Sequence, residues 1–171
     1  MDLRQAILQE HSRAQCLLIT KWVGRDSNRL AVLLALFMED EYRVVQRAAW
    51  IISMIAQEHP DMLAPHLPKM VQRMQEDGVP VAVKRNVTRV LQYLPIPEAL
   101  HDPVMDTCFM LLEDVQETIA VRCFAMTVLA RLAKAYPDIS RSIRLIIEDT
   151  LQQGASPAFR SRARKVLKEL D

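Results

Sequence analysis

Three cysteines and four histidines are the side chains of this 171-residue chain best suited to hold a metal or attack a carbonyl. Cys16, Cys108 and Cys123 form no CxxC pair, their number is odd, and each lies among apolar residues. In such surroundings a free thiol packs as a small hydrophobe, so neither a disulfide framework nor a zinc site is expected. His11, His59, His66 and His101 never share a helix face at i, i+4, and none stands at ligand spacing from a cysteine, so no metal is expected. Adjacent carboxylates occur as Asp40-Glu41 and Glu113-Asp114, always where a helix should end. That position suits a solvated charge or the partner of a nearby cation better than an acid/base couple. No serine stands in a Gly-x-Ser-x-Gly turn. The three glycines, Gly24, Gly78 and Gly154, are too far apart for a loop that cradles phosphates. Trp22 and Trp50 could stack on a base. Trp50, however, lies among Ala48, Ala49, Ile51 and Ile52 with no carboxylate beside it, and core packing is the expected role. Nothing here amounts to a catalytic site, and no cofactor is expected.

The elements that would carry these residues are helical. In 28–40 the apolar residues Leu30, Leu33, Leu34, Phe37 and Met38 recur at the spacing of one helix face. No segment alternates with period two. Gly24, Gly78 and Gly154 each stand just past a helix, where a left-handed residue ends it. Ser156-Pro157 reads as a cap followed by a first-turn proline. Pro60, Pro97 and Pro137 open segments whose next residues, Asp61, Glu98 and Asp138, suit the positive end of a helix. These signals predict nine helices, at 3–23, 27–40, 42–58, 61–77, 79–94, 98–114, 117–135, 138–153 and 156–170. Short connections make neighbours antiparallel.

The helices repeat. A basic residue enters an apolar helix in Arg13-Ala14, Arg47-Ala48, Arg85-Asn86, Arg122-Cys123 and Arg162-Ala163, at intervals of 34, 38, 37 and 40 residues. One arginine per two-helix unit of that length resembles the HEAT-type repeat. The fold expected is therefore an all-α superhelix, a HEAT-like solenoid forming one domain over 1–171. The resemblance implies that Arg13, Arg47, Arg85, Arg122 and Arg162 form a structural ladder with carboxylates of the preceding turns. In the last helix Arg160, Arg164, Lys165 and Lys168 stand where the second unit has Val45, Ala49, Trp50 and Ser53. A polar outer face of this kind marks a terminal cap at about 156–170. The segments 47–50, 120–129 and 155–167 look like a group of small bacterial HEAT-like proteins of no established activity. Some of that group carry an adenylosuccinate lyase label. Such a lyase needs a signature loop and a much longer chain, so the label is not carried over.

Charge is sorted between the two helices of each pair. The second helices (1–23, 42–58, 79–94, 117–135 and 156–171) hold sixteen basic and six acidic residues, and the first helices five basic and thirteen acidic. In HEAT arrays the second helices line the concave side, so the resemblance implies a basic inner face. Arg43, Lys84, Arg89, Arg131, Lys134, Arg160 and Arg164 are its candidate binding residues. A field of this kind steers acidic partners. The expected function is a non-enzymatic scaffold that binds an acidic protein or peptide. The alternative is nucleic-acid binding through the same face, with a HEAT-like glycosylase for alkylated bases as the remote enzymatic option. A net charge of only +1 weighs against nucleic acid. The start of the chain has no basic, then apolar, signal segment, and no apolar stretch approaches the ~20 residues of a membrane span. A cytoplasmic protein with no membrane partner is expected.

Overall fold

Caps and prolines divide the chain more finely than its periodicity does. The computed structural model describes residues 1–171 and contains only helices, turns and loops. The segment expected as one helix over 3–23 is two, α1 (Leu3–Gln9) and α2 (Arg13–Val23). Glu10 is extended between them, and the Ser12 hydroxyl accepts from the Gln15 amide at 3.1 Å, starting α2 afresh. The Ser12-x-x-Gln15 spacing is a capping-box signature that outweighs the continuous apolar pattern. α3 (Ser27–Glu39) and α4 (Tyr42–Glu58) follow closely the expected bounds. The segment 61–77 breaks into α5 (Pro60–Leu63), a 3₁₀ turn (Ala64–His66) and α6 (Leu67–Met74). Pro65 and Pro68 supply no backbone N–H, so the ladder is interrupted there. α7 (Val81–Val90), α8 (His101–Glu113), α9 (Ile119–Ala133), α10 (Ser140–Gln152) and α11 (Pro157–Glu169) complete the chain. Short 3₁₀ turns at Glu98–Leu100 and Pro137–Ile139 lead into α8 and α10. The three glycines have φ of 50°, 68° and 95°, in the left-handed region; Gly24 and Gly154 close α2 and α10, whereas α6 already ends at Met74 and Gly78 lies in the turn beyond it.

Two compact units result, Met1–Pro95 and Ile96–Asp171. In the first, α4 is the central element. It packs against α3 as a hairpin joined by Asp40 and Glu41, and against α1, α2 and α7. Its Val44, Ala48, Ile51, Ile52 and Ile55 are fully buried. Along α3 the expected stripe of Leu30, Leu33, Leu34, Phe37 and Met38 is the buried one. In the second unit α9 holds the centre, between α8 and α11, with α10 also against it. Ten of its fifteen residues are buried, which is why it shows no single apolar face. α11 buries only Phe159, Ala163 and Val166 and turns Arg160, Arg164, Lys165 and Lys168 to solvent.

His101, at the start of α8, ties its own segment together. One ring nitrogen lies 2.9 Å from the Tyr136 hydroxyl and the other 2.9 Å from the Ile96 carbonyl. The carbonyl can only accept, so Nε2 carries the proton and Nδ1 is free to accept from tyrosine.

All three cysteines are buried and free. Burial raises each thiol's pKa, that of Cys108 to about 12. Against its ordinary value of 9.0, that leaves Cys108 about a thousandfold less thiolate at neutral pH. An aromatic disulfide reagent is therefore expected to label the native protein at least a hundredfold more slowly than the urea-unfolded chain, with all three thiols reacting in urea. A thiol that reacts at the unfolded rate without denaturant contradicts this.

Candidate functional site

Two of the recurrent arginines, Arg47 and Arg122, reach the ends of neighbouring helices, and their partners there are not those of the expected ladder. Arg47, on α4, donates through Nη1 to the carbonyls of Ile7 (3.2 Å) and Leu8 (2.8 Å). These belong to the last turn of α1, whose carbonyls have no acceptor role left within the helix. Arg122, on α9, repeats this at the end of α8. Its Nε donates to the Leu112 carbonyl at 2.9 Å and its Nη2 to the Thr150 hydroxyl at 3.2 Å, while the guanidinium lies 5.0 Å from the Phe159 ring centroid. Arg162 donates to the Thr127 hydroxyl at 2.6 Å. Arg13 and Arg85 are exposed, with no ion pair or hydrogen bond to the guanidinium.

Carboxylates are thus not the partners of Arg47 and Arg122. The turn acids are engaged locally instead. Asp40 takes both Nε (2.9 Å) and Nη2 (3.0 Å) of Arg4. Those bonds and the Glu41 amide hold the Asp40 carboxyl below the usual aspartate range, and the same pairing raises Arg4. Asp114 accepts from the Gln116 amide and acts on Arg122 only through its field. Burial pushes Arg122 down, against the weaker opposing influence of Cys123 and Asp114. Sequence reasoning missed two further arginines with the same capping role. Arg29 donates to the Trp22 carbonyl at 2.6 Å and Arg73 to the Met38 carbonyl at 3.1 Å. Arg29 lies seven residues and Arg73 thirty-five residues from the carbonyl it caps, so no local motif marks either.

The candidate binding residues divide by surroundings. Arg43, Lys134, Arg160 and Arg164 are exposed and make no side-chain ion pair or hydrogen bond. Arg89 is half-buried, with a guanidinium that meets no partner. Lys84 and Arg131 are half-buried and partnered, and burial lowers the Arg131 pKa. Cations on the first helices are treated differently. Arg29 pairs with Asp26, Lys69 with Glu39, Arg73 with Glu76, and Arg144 with Glu148 and Asp171.

Where α4 and α7 pack, with His11 alongside, a hollow of about 350 Å³ opens to solvent. Arg85 and Arg89 stand on one face of α7, one turn apart. Trp50 forms part of the wall. The expected core position does not hold, because this ring is only half-buried and meets His11 edge-on, with centroids 5.4 Å apart and planes at 71°. Between the two helices Asn86, only 3% exposed, donates through Nδ2 to the Ala49 carbonyl (2.5 Å) and the Ser53 hydroxyl (2.9 Å). Ser53 in turn donates to the Ala49 carbonyl at 3.0 Å. Asn86 Oδ1 is buried and has no donor. No aspartate or glutamate lines this hollow.

Elsewhere no three His, Cys, Asp or Glu side chains converge as a metal site would require. No helix is long and apolar enough to cross a membrane.

No curated protein and no solved structure matches the chain. A model of the HEAT repeat domain matches residues 3–170. That match spans nearly the whole sequence and agrees with the helical hairpins and the arginine recurring once in each, so the chain belongs to the HEAT repeat family.

Proposed function

We propose that this HEAT repeat protein is a non-enzymatic binding module that takes an acidic protein or peptide segment on the basic faces of its second helices. One observation carries the reading. Four of the five first-helix cations are neutralised by carboxylates of their own unit, whereas Arg43, Lys134, Arg160 and Arg164 on the second helices are left exposed and unpaired. An unpaired guanidinium or ammonium keeps its full field for a visiting carboxylate, while a paired one has spent most of it. The absence of clustered titratable groups gives catalysis no comparable support.

Fluorescence anisotropy of a labelled oligoglutamate peptide tests this. At low salt the peptide is expected to bind, and binding should weaken severalfold between 50 and 200 mM salt, as screening requires (conditions chosen from roughly the range over which the Debye length shortens). Each of Lys134→Glu, Arg160→Glu and Arg164→Glu is expected to weaken it about twofold and the three together about tenfold, with Arg141→Glu on α10 as a control matched in charge change to each single reversal. No peptide binding, equal loss in the control, or tight binding of a DNA duplex in preference to the peptide overturns the reading.

A further inference from the structure

We propose that the hollow between α4 and α7 is a site for a small ligand made of a flat ring carrying a phosphate. This goes beyond the acidic-segment reading, since it concerns a discrete pocket in residues 1–95 and holds or fails independently of what the other second helices bind.

The charge in the hollow is one-sided. Arg85 and Arg89 present two guanidinium groups one helical turn apart, neither paired, and no carboxylate lines the walls. Two permanent positive charges on neighbouring turns repel each other, and no acid in the hollow relieves them. A phosphate dianion meets both charges at once. The planar guanidinium fork matches its oxygens, and two forks match it better than they match a single carboxylate. The His11 ring, also in the wall, lies against Trp50.

The remaining wall accounts for the ring. Trp50 is only half-buried although α4 offers it an apolar interior, and its indole faces the hollow beside His11. A half-buried indole that walls a polar recess is a surface on which a flat group can stack. The volume, about 350 Å³, is larger than a phosphate needs and lies at the lower end of the range of small-molecule sites.

The back of the hollow is built rather than incidental. Asn86, Ser53 and the Ala49 carbonyl form a closed set of hydrogen bonds between α4 and α7. At this buried helix contact an apolar side chain would avoid the desolvation of an amide. Asparagine is present instead, and its Oδ1 has no donor in the protein. The hydrogen-bonded set ties α7 to α4, the two helices that carry Arg85, Arg89 and Trp50 into the walls of the hollow.

Isothermal titration of the full chain with inorganic phosphate, phenyl phosphate and uridine monophosphate tests the site. The two ring-bearing probes are expected to bind at least tenfold more tightly than inorganic phosphate. Arg85→Gln with Arg89→Gln is expected to weaken them at least tenfold, and Trp50→Ala to abolish their advantage over phosphate. Because Trp50→Ala touches the packing of α4, His11→Ala, at an exposed position, supplies a second variant that should weaken ring binding severalfold with unchanged circular dichroism. Tighter binding of the nucleotide identifies a heterocyclic source, and tighter binding of phenyl phosphate a phosphorylated aromatic side chain. Both outcomes support the site. Equal binding of all three probes, no binding at millimolar concentration, or wild-type affinity in the arginine double variant overturns it. Since Lys134, Arg160 and Arg164 lie outside this hollow, their charge reversal should leave these titrations unchanged, which separates failure of this site from failure of the acidic-segment reading.

Discussion

Arg122→Met is expected to lower the stability of the unit formed by residues 96–171 by about 3 kcal/mol, near the upper end of what a single buried polar partner supplies. Two opposing effects decide the sign. Burial disfavours the charged guanidinium, and this lowers its pKa, so methionine removes a desolvation penalty and refills most of the volume. Against that, the Leu112 carbonyl in the last turn of α8 depends on Arg122 Nε, and the bond is buried. Losing the donor leaves a carbonyl that water cannot readily reach, at about 1–3 kcal/mol. The contact with the Phe159 face is lost too, at about 0.5–2 kcal/mol, and so is the bond to Thr150. The lost interactions outweigh the relief. Arg122→Lys should recover only about half of the loss, because a single ammonium cannot serve the carbonyl, the hydroxyl and the ring from one position. Native-state hydrogen exchange of amides in α8 and α9 reads the effect within this unit. A change below about 1 kcal/mol would mean that water reaches the Leu112 carbonyl and that the arginine is dispensable.

Phe37→Ala is expected to destabilise residues 1–95 by about 3–5 kcal/mol, the usual range for deleting a buried aromatic ring. Phe37 is fully buried on α3, within the stripe that faces α4. The surrounding Leu33, Leu34 and Met38 are held by two helices joined through a two-residue turn, so the backbone has little freedom to collapse into the space. Phe37→Leu, which fills more of it, should lose less than half as much. Hydrogen exchange in α3 and α4 is the appropriate readout, since a cooperative two-state transition of the whole chain is not guaranteed for two compact units. Exchange in α4 no faster than in the parent protein would show that the ring is not a central contributor.

Much of the helical framework was legible because it depends on neighbours in the chain. The apolar stripe of α3, the left-handed glycines and the Ser156 cap all follow from local periodicity and turn chemistry. Even the division of the first helix was written in Ser12 and Gln15, whose short-range cap was overlooked beside a long apolar pattern. The recurring arginine was visible as well, but its partners were not. A guanidinium reaches about as far as a whole helical turn, so whether it finds a carboxylate or an open carbonyl depends on how two helices are set against each other. For Arg47 and Arg122 the nearer acceptors are the carbonyls that every helix end leaves free.

The site shows the same division. Sequence periodicity alone determined that Arg85, Asn86 and Arg89 would sit on one helix with a basic face, because i, i+1 and i+4 are fixed by 3.6 residues per turn. It could not determine that Trp50 would stand half-open beside them. Its apolar neighbours Ala48, Ile51 and Ile52 occupy the buried face of α4, and Trp50 lies between that face and solvent. Whether the ring became core or wall was decided by where α7 and His11 came to rest, about thirty-five residues away on either side. Tertiary packing alone could make that choice, since it is the only thing that brings those segments to the same edge of α4.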